Sequence, residues 1–493
     1  MKVSNALAII ALACGMGWAQ AALADDTGAA AGSGKTVVEK VLDIMLQSEQ
    51  ISRSQYDELL QQSQEEQIEA AAAAAAAAEP ASPAVSAGPT DWTFKWSNGF
   101  KLDRNDGAFK LKFGGRIMTD AALIWDHGLG NDFVAAGLDP KDGSGVEFRR
   151  ARLFFQGTVY ERLFFKAQYD WANTGDGNTD LKDLYLGLKK LGPVVRDVRI
   201  GHFKEPFMLQ EMTSSKYITF IERGLNNVFY PSRNVGIMAT GSPLEKRLQW
   251  QVGLFRNTND QGFSFDDWGM SQYDVAARVA GAPLYKDDGE YVLHLGVAYI
   301  HQFRDRKTET LRYRQRPETH LAQRWVDTGS IAAGDSDILN YEIAGVCGPF
   351  SLQGEFTHTY VEGGPGGGKN LDLWGAYAQM SWFITGEHRA YQLGKASFGR
   401  VKPKANFNPS QGDWGAFEVA ARYSYLNLDD RNLMGGKLWD ATAGLNWYLF
   451  PNMRFMFNYV YADVGDRVAS SPSGPFKIDG SGHIAQMRAQ IDF

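Results

Sequence analysis

Leu163-Phe-Phe-Lys-Ala-Gln-Tyr-Asp-Trp171 alternates, residue by residue, between two sets of side chains. The odd positions hold Leu, Phe, Ala, Tyr and Trp, whereas the even positions hold Phe, Lys, Gln and Asp. Successive side chains of a β-strand point to opposite faces, and a helix cannot gather such an alternation on one face. The stretch therefore predicts a strand with an apolar face and a largely polar face. Phe417–Tyr425 and Met453–Tyr461 repeat the pattern.

The same alternation recurs from about residue 100 to the end of the chain, in about sixteen segments. The candidate strands lie near residues 110–126, 145–160, 162–173, 179–191, 195–203, 234–242, 247–257, 271–282, 290–303, 337–347, 349–362, 370–384, 413–428, 437–450, 452–465 and 482–493. Some joins are tight, as at Gly348-Pro349, and others are long, as at 304–336 and 385–412. An even strand number, with short turns at one end and long loops at the other, is typical of a bacterial outer-membrane barrel. We expect an all-β protein, a 16-stranded antiparallel transmembrane β-barrel, over residues 91–493.

A lipid environment explains why the apolar face would point outward. Backbone polar groups in hydrocarbon must be paired internally, and a sheet achieves this only by closing on itself. Aromatic strand ends such as Trp171, Trp447 and Tyr459 suit the membrane–water interface. A soluble β-sandwich also alternates, but it seldom needs so many strands of roughly ten residues.

The chain before residue 91 has a different composition. Residues 1–24 resemble a secretory signal peptide, with Lys2, an apolar core, and Ala22-Leu23-Ala24 before the expected cleavage point. Residues 25–69 contain apolar residues at helical spacing, and residues 70–90 form an alanine- and proline-rich linker. The helical segment is interpreted either as a periplasmic, trimer-forming coiled coil or as a lone helical hairpin.

Composition and motifs exclude several functional classes. The net charge of −7 argues against a nucleic-acid partner, which would require a broad basic excess. The sequence has no Gly-x-Ser-x-Gly elbow and no His-Glu-x-x-His helix, so we expect neither an enzyme nor a cofactor or metal site. A soluble binding protein is a further alternative, which would fractionate without detergent.

Four stretches together resemble the phosphate-selective porin O and P family. They are Val146-Glu-Phe-Arg-Arg-Ala-Arg152, Arg199-Ile-Gly-His-Phe-Lys-Glu-Pro-Phe207, Thr213-Ser-Ser-Lys-Tyr-Ile-Thr-Phe-Ile-Glu-Arg223 and Ser232-Arg-Asn-Val-Gly236. The similarity spans residues 100–493. It implies a homotrimer of 16-stranded barrels in the outer membrane of a Gram-negative bacterium, with the loop at 204–232 folded inward to narrow the pore.

The last strand supports the same location. His483-Ile-Ala-Gln-Met-Arg-Ala-Gln-Ile-Asp-Phe493 alternates and ends in Phe. A terminal Phe resembles the signal by which outer-membrane proteins reach the barrel assembly machinery. Partners implied by this location are outer-membrane lipid and lipopolysaccharide. The basic loop at 304–336 is read either as an electrostatic funnel or as a surface that binds lipopolysaccharide.

Strand phase selects candidate residues for an anion pathway. Leu153 and Phe155 should face lipid, so Arg150 and Arg152 should face the lumen, and Arg149 falls on the outward phase at the interface or past the strand end. Glycines blur the faces of the strands that hold Arg116 and Arg199. The expected anion-pathway residues are Arg150, Arg152, Lys166, Arg199, Lys204, Lys216, Arg223, Arg233, Arg278 and Arg422.

Two functions follow from this set. Arg offers a planar fork for phosphate oxygens and Lys a compact charge, and several weak sites in series permit both entry and release. We therefore expect a water-filled porin for passive uptake of anions, phosphate or polyphosphate, through a basic constriction. The alternative is a general or differently selective diffusion porin, in which the luminal cations pair with Glu147, Asp170, Glu342 or Glu418.

Overall fold

The computed structural model describes residues 53–54, 56, 61, 91–126, 129, 132–133, 143–172, 180–258, 262, 272–304, 310–363, 370–471 and 474–493. The expected signal peptide (1–24) and linker (70–90) lie outside the described residues, as does most of the helical segment at 25–69. The described residues of that segment, Arg53, Ser54, Tyr56 and Gln61, are helical. The chain divides into two units, 1–86 and 87–493, and the second unit is the β-sheet protein described below.

Strands dominate the described part of the second unit. They are β1 (Trp92–Trp96), β2 (Phe100–Arg104), β3 (Phe109–Asp126), β4 (Gly145–Val159), β5 (Leu163–Asp170), β6 (Asp180–Lys189), β7 (Asp197–Lys204), β8 (Arg233–Gly241), β9 (Leu248–Arg256), β10 (Tyr273–Lys286), β11 (Tyr291–Phe303), β12 (Thr310–Leu311), β13 (Arg314–Gln315), β14 (Val326–Asp327), β15 (Ile331–Ala332), β16 (Ser336–Cys347), β17 (Phe350–Val361), β18 (Leu371–Phe383), β19 (Tyr391–Gln392), β20 (Ser397–Phe398), β21 (Ala416–Asp430), β22 (Leu433–Phe450), β23 (Met453–Ser471) and β24 (Gly474–Asp492). The helices described over their full length are α1 (Leu209–Met212) and the 3-10 turns Leu225–Phe229, Asp287–Gly289 and Leu393–Lys395; residues 129, 132 and 133 are also helical. Among the described residues, no helix has the length and apolar character needed to cross a membrane, a finding that does not bear on a β-barrel.

Sixteen of these strands form a closed ring. In chain order β3–β11, β16–β18 and β21–β24 each pair antiparallel with the next. Strand β24 returns to β3, from the pair Gly482 and Asp126 to the pair Asp492 and Arg116. The Gly115 N–H donates to the carbonyl oxygen of Phe493 at 2.7 Å, which completes the seam. The predicted 16-stranded antiparallel barrel is confirmed, and all sixteen candidate segments coincide with strands of this ring.

The outward face is apolar, as β11 illustrates. Leu293, Leu295 and Val297 are exposed in the middle of the strand, and Tyr291 and Tyr299 are exposed toward its ends. Aliphatic side chains flanked by aromatic ones match the hydrocarbon core and the two interfaces of a membrane. The alternation therefore places the apolar face toward lipid, as the sequence predicts.

The hairpin of β1 and β2 was not foreseen, because it precedes the first candidate strand. Strand β2 pairs with the start of β3, from Phe100 opposite Phe113 to Asp103 opposite Lys110, where β24 has already ended. The hairpin therefore extends the barrel wall along β3, beyond the point where β24 ends. Its Lys101 lies opposite Lys112 and shares the inward phase of that residue.

The distribution of long loops corrects one expectation. The connections 205–232 and 304–335 lie at one end of the barrel, but 384–415 lies at the end that carries the tight turns at 160–162 and 348–349. This third connection folds back inside: Arg278 Nη2 donates to Ala396 O at 3.0 Å, and the Phe398 N–H donates to Thr213 Oγ1 at 3.2 Å. The end of the barrel with the short turns therefore also carries a long connection. Hydrogen bonds with the side chains of Arg278 and Thr213 hold this connection inside the lumen.

The first prediction concerns Gly201 in β7. Its φ is +134°, and a Cβ built there would lie 2.3 Å from the carbonyl oxygen of Leu184. We expect Gly201→Ala to destabilise the barrel by roughly 1–3 kcal/mol, because the backbone must shift within a paired strand. Heat-modifiable migration and urea unfolding would measure this. Gly145→Ala is the control, since its Cβ meets no atom within 4 Å; equal loss in both variants would contradict the argument.

Candidate ion pathway

The connection at 205–232 is held inside the barrel by the wall. The Glu355 carboxylate of β17 accepts hydrogen bonds from the backbone N–H groups of Leu209 and Gln210, at 2.8 and 2.9 Å. On another part of the wall, Asn458 Oδ1 accepts from the Ile221 N–H at 2.8 Å. Contacts with separate strands fix this segment across the lumen, which confirms the inward loop that the family resemblance implies. We call residues 205–232 the inward loop.

A β-bulge in β4 brings two successive arginines into the lumen. The pairing with β3 shifts between Arg150 and Phe148, which leaves Arg149 as an extra residue. An extra residue changes the phase of the alternation. Strict alternation from Arg150 would turn Phe148 inward, but the extra residue places Phe148 on the exposed face. Arg149 Nε instead donates to Glu222 Oε1 of the inward loop at 2.8 Å. The expectation that Arg149 lies on the outward phase is wrong, because strict alternation cannot anticipate a bulge.

Glu222 is the hub of a charge network that anchors the inward loop. Arg488 Nη2 donates to Glu222 Oε1 at 2.9 Å, and the same guanidinium binds both oxygens of Asp120 at 2.6 Å. Burial by itself would raise the pKa of the Glu222 carboxyl, but the charge of Arg149 and of two further arginines holds that pKa well below its usual range. The carboxylate therefore stays ionised and ties the loop to β4 and β24.

A second group of charges lies at the start of the inward loop. Glu211 accepts from Lys204 Nζ and pairs with Arg223, whose Nε lies 3.1 Å from Glu211 Oε1. Burial opposes ionisation of Glu211, yet Arg223 and Lys204 lower its pKa to about 2. The carboxylate therefore neutralises part of the positive charge that the sequence places at this point.

The inward loop and the wall enclose a cavity of about 450 Å³, here called the basic cavity. Its ten basic side chains are Arg116, Arg149, Arg150, Arg152, Lys166, Lys182, Lys204, Arg223, Arg233 and Arg316. Its four carboxylates are Asp183, Glu211, Glu222 and Glu318. The described lining thus carries a surplus of six positive charges. Within the described residues, no group of three or more His, Cys, Asp or Glu could hold a metal ion.

The structure distributes the ten residues expected from the sequence over several places. Six line the basic cavity: Arg150, Arg152, Lys166, Lys204, Arg223 and Arg233. Arg199 lines a second cavity, and Lys216 pairs with Asp492 beside Arg400. Arg278 and Arg422 face inward but are buried, the first against Glu342 and the second against Glu318. The structure therefore brings Lys216, Arg278 and Arg422 to neither cavity.

Most of the expected cations are ion-paired. Nine of the ten have a carboxylate partner, and the pairs of Arg152 with Asp170 and of Arg278 with Glu342 use acids named from the sequence. Arg150 forms no ion pair among the described residues, and its Nη1 contacts only Met118 Sδ at 3.6 Å. Arg116 donates to a hydroxyl of the inward loop. Arg316 donates from Nε to the carbonyl oxygen of Ala322 at 2.7 Å. These three guanidiniums of the basic cavity have no carboxylate partner among the described residues.

Sequence reasoning missed Lys182. The pairing of β6 with β5 shifts so that Lys182 is an extra residue, and this second bulge turns it toward the basic cavity beside Asp183. Strict alternation would place these two neighbours on opposite faces. No signal in a single sequence marks such a bulge.

The second cavity lies at the end of the barrel that carries the tight turns. Its volume is about 670 Å³. Seven basic residues line it: Lys101, Lys110, Lys112, Lys189, Lys190, Arg196 and Arg199. The acids in its lining are Asp103 and Asp197. We call it the lower cavity; with the basic cavity it gives the lumen two basic compartments.

Several known proteins are similar to this chain. A family model described as "Phosphate-selective porin O and P" matches residues 126–493. Porin O of Pseudomonas aeruginosa is 26% identical over 442 residues, covering 82% of this chain and 93% of that protein. An uncharacterized protein of Caulobacter vibrioides is 28% identical over 421 residues, covering 83% and 78%. The structure of an anion-selective porin from Comamonas acidovorans aligns with 78% of this chain and 100% of its own, with a TM-score of 0.46 and 15% identity.

The second prediction concerns the anchoring role of Glu222. We expect Glu222→Gln to increase the noise of the open-channel current at pH 7, because losing one partner of a buried ion pair costs roughly 3–5 kcal/mol and frees the inward loop. Since the folded-state pKa is lowered, the stabilisation is present above the ordinary value of 4.5 and is lost as the pH falls below it. The wild-type channel should therefore become noisy only in acid.

Single-channel recording in planar bilayers would measure both effects. Glu161→Gln is the matched control, since Glu161 pairs with Lys190 in an exposed turn and touches no part of the inward loop. A Glu222→Gln channel as quiet as wild type at pH 7 would show that this network does not hold the loop.

Proposed function

This chain belongs to the phosphate-selective porin O and P family, and we propose that its barrel passes phosphate-type anions by passive diffusion. The family and the closed barrel identify an outer-membrane porin channel of a Gram-negative bacterium. The finer proposal, a preference for phosphate or polyphosphate, is supported by one observation above all. Ten basic side chains face four carboxylates around the basic cavity.

Local charge favours anions although the whole chain is acidic. The net charge of the protein is −7, but a field focused between low-dielectric walls depends on the nearest charges rather than on the total. An anion that enters the basic cavity loses water and gains charged donors in its place. Arg116, Arg150 and Arg316 have no carboxylate partner among the described residues, so they are the guanidiniums of the basic cavity that an anion can bind with the least competition.

Ion pairing also limits how tightly the anion is held. Lys166 and Arg233 share Asp183, and Lys204 and Arg223 share Glu211. Because these cations are partly neutralised, each of them binds an anion weakly. Conduction requires several weak binding sites in series rather than one tight site. The same pairing favours the alternative function, a general or differently selective diffusion porin, because paired cations line a pore without binding phosphate.

Assembly forms a further part of the proposal. We propose a homotrimer in contact with outer-membrane lipid and lipopolysaccharide, and targeting to the barrel assembly machinery through Phe493. The hydrogen bonds between Phe493 and Gly115 support a place for this residue at the barrel seam. The signal peptide at 1–24 and the coiled coil within 25–69 remain predictions from the sequence.

The third prediction tests phosphate binding. In chloride solution we expect added phosphate to reduce the single-channel current, and Arg150→Gln to raise the half-blocking phosphate concentration by about tenfold or more. A hydrogen bond to a charged group contributes roughly 1.5–3 kcal/mol, and about 1.4 kcal/mol corresponds to a factor of ten. Arg312→Gln is the control, because Arg312 pairs with Asp327 outside both cavities.

Reversal potentials in a salt gradient provide the complementary measurement. We expect the wild-type channel to prefer chloride over potassium, since the surplus charge repels cations from the basic cavity. A neutral or cation-preferring channel would rule out the anion pathway. An anion-preferring channel without phosphate block would leave the general anion porin and reject phosphate preference.

A further inference from the structure

The lower cavity is lined by phenylalanine and tyrosine rings, which the basic cavity lacks. Phe164 of β5 and Tyr185 of β6 line it, both half-buried, and their ring centroids lie 6.1 Å apart at 73°. Inorganic phosphate presents only oxygen atoms, so it gains nothing from an aromatic ring. Only an anion that also carries an apolar group would gain from contact with these rings.

Gly187 leaves room for the Phe164 ring to pack against the barrel wall. Phe164 lies directly opposite Gly187, and a Cβ built on Gly187 would lie 2.6 Å from the tip of the Phe164 ring. The ring thus occupies the space that a side chain would fill on the neighbouring strand. A half-buried ring pressed against the wall on one side presents its remaining surface to the cavity.

One lining cation, Arg199, lies over the Tyr185 ring without stacking closely on it. The guanidinium carbon of Arg199 lies 5.4 Å from the Tyr185 centroid. In a closed stack of this same protein, Arg389 lies 3.6 Å from the Phe398 centroid. The longer distance keeps the attraction between charge and ring while leaving room at the ring. A ligand in the lower cavity can therefore contact a cation and an aromatic ring at the same time.

We propose that the lower cavity binds organic anions that carry a flat apolar group next to the charged group, with aryl phosphates as the representative class. The charged group would contact Lys112, Lys189 and Arg199, and the aryl group would contact Phe164 and Tyr185. The volume of about 670 Å³ suits such a ligand. This inference rests on the proposed anion channel and adds a second class of solute.

The fourth prediction compares phenyl phosphate with methyl phosphate, which carry the same charged group. We expect phenyl phosphate to half-block the chloride current at a concentration about tenfold lower, because its ring can stack on an aromatic side chain and the methyl group cannot. The double variant Phe164→Leu with Tyr185→Leu keeps apolar volume but lacks both rings. Its phenyl advantage should fall below about threefold, with the block by inorganic phosphate changed less than about twofold.

Two controls separate the rings from general hydrophobicity. Phe356→Leu removes an exposed ring from the lipid face and should leave the phenyl advantage intact. Tyr185→Phe keeps the ring and should also retain it. An anomalous bromine signal from 4-bromophenyl phosphate in crystals of the wild-type protein should lie beside Tyr185, which gives a readout that needs no variant.

The outcomes distinguish this inference from the proposed function. Equal block by phenyl and methyl phosphate in the wild-type channel would overturn the inference while leaving phosphate block in place. A phenyl advantage that survives in the double variant, or bromine located elsewhere, would also overturn it. Absence of block by inorganic phosphate and by both esters would instead reject the proposed phosphate channel itself.

Discussion

The pairing of backbone polar groups in hydrocarbon governs this structure. An unpaired N–H or C=O in lipid costs several kcal/mol, so the sheet must close without a free edge. The pairing of β24 with β3 meets that requirement over most of the seam, and Phe493 extends it to Gly115. Below that point β2 takes over as the neighbour of β3. The closed wall then has one face toward lipid, which is apolar, and one face toward the lumen, which is largely polar.

A closed wall creates a second electrostatic problem inside. Cationic side chains that point inward are partly removed from water, and a buried charge requires a partner. The wall supplies some of these partners, as Asp170 does for Arg152. The loops supply others: Glu222 pairs with Arg149, Glu211 with Lys204, and Glu318 with Arg422. The ion pairs from the loops therefore both hold the loops in place and reduce the positive charge of the lumen.

Period-two alternation was sufficient to predict all sixteen wall strands, because lipid imposes an outward apolar residue at every second position. It also gave the inward phase of Arg150, Arg152 and Lys166. It failed at Arg149 and Lys182, where a bulge adds one residue and changes the phase. The path of residues 384–415 was equally unpredictable, since their direction depends on contacts between residues far apart in the chain, such as Arg278 and Ala396.

Two basic compartments with different linings lie along the lumen. In the basic cavity, carboxylates balance many of the cations and leave a positive surplus. In the lower cavity, aromatic rings accompany the cations, so the binding that we propose there combines charge with apolar contact. Both linings also contain carboxylates, which compete with a bound anion for the cations and keep each contact weak enough for release. On these proposals, a purely inorganic anion meets the same kind of contact in both compartments, whereas an anion with an apolar group gains a second kind of contact in the lower cavity alone.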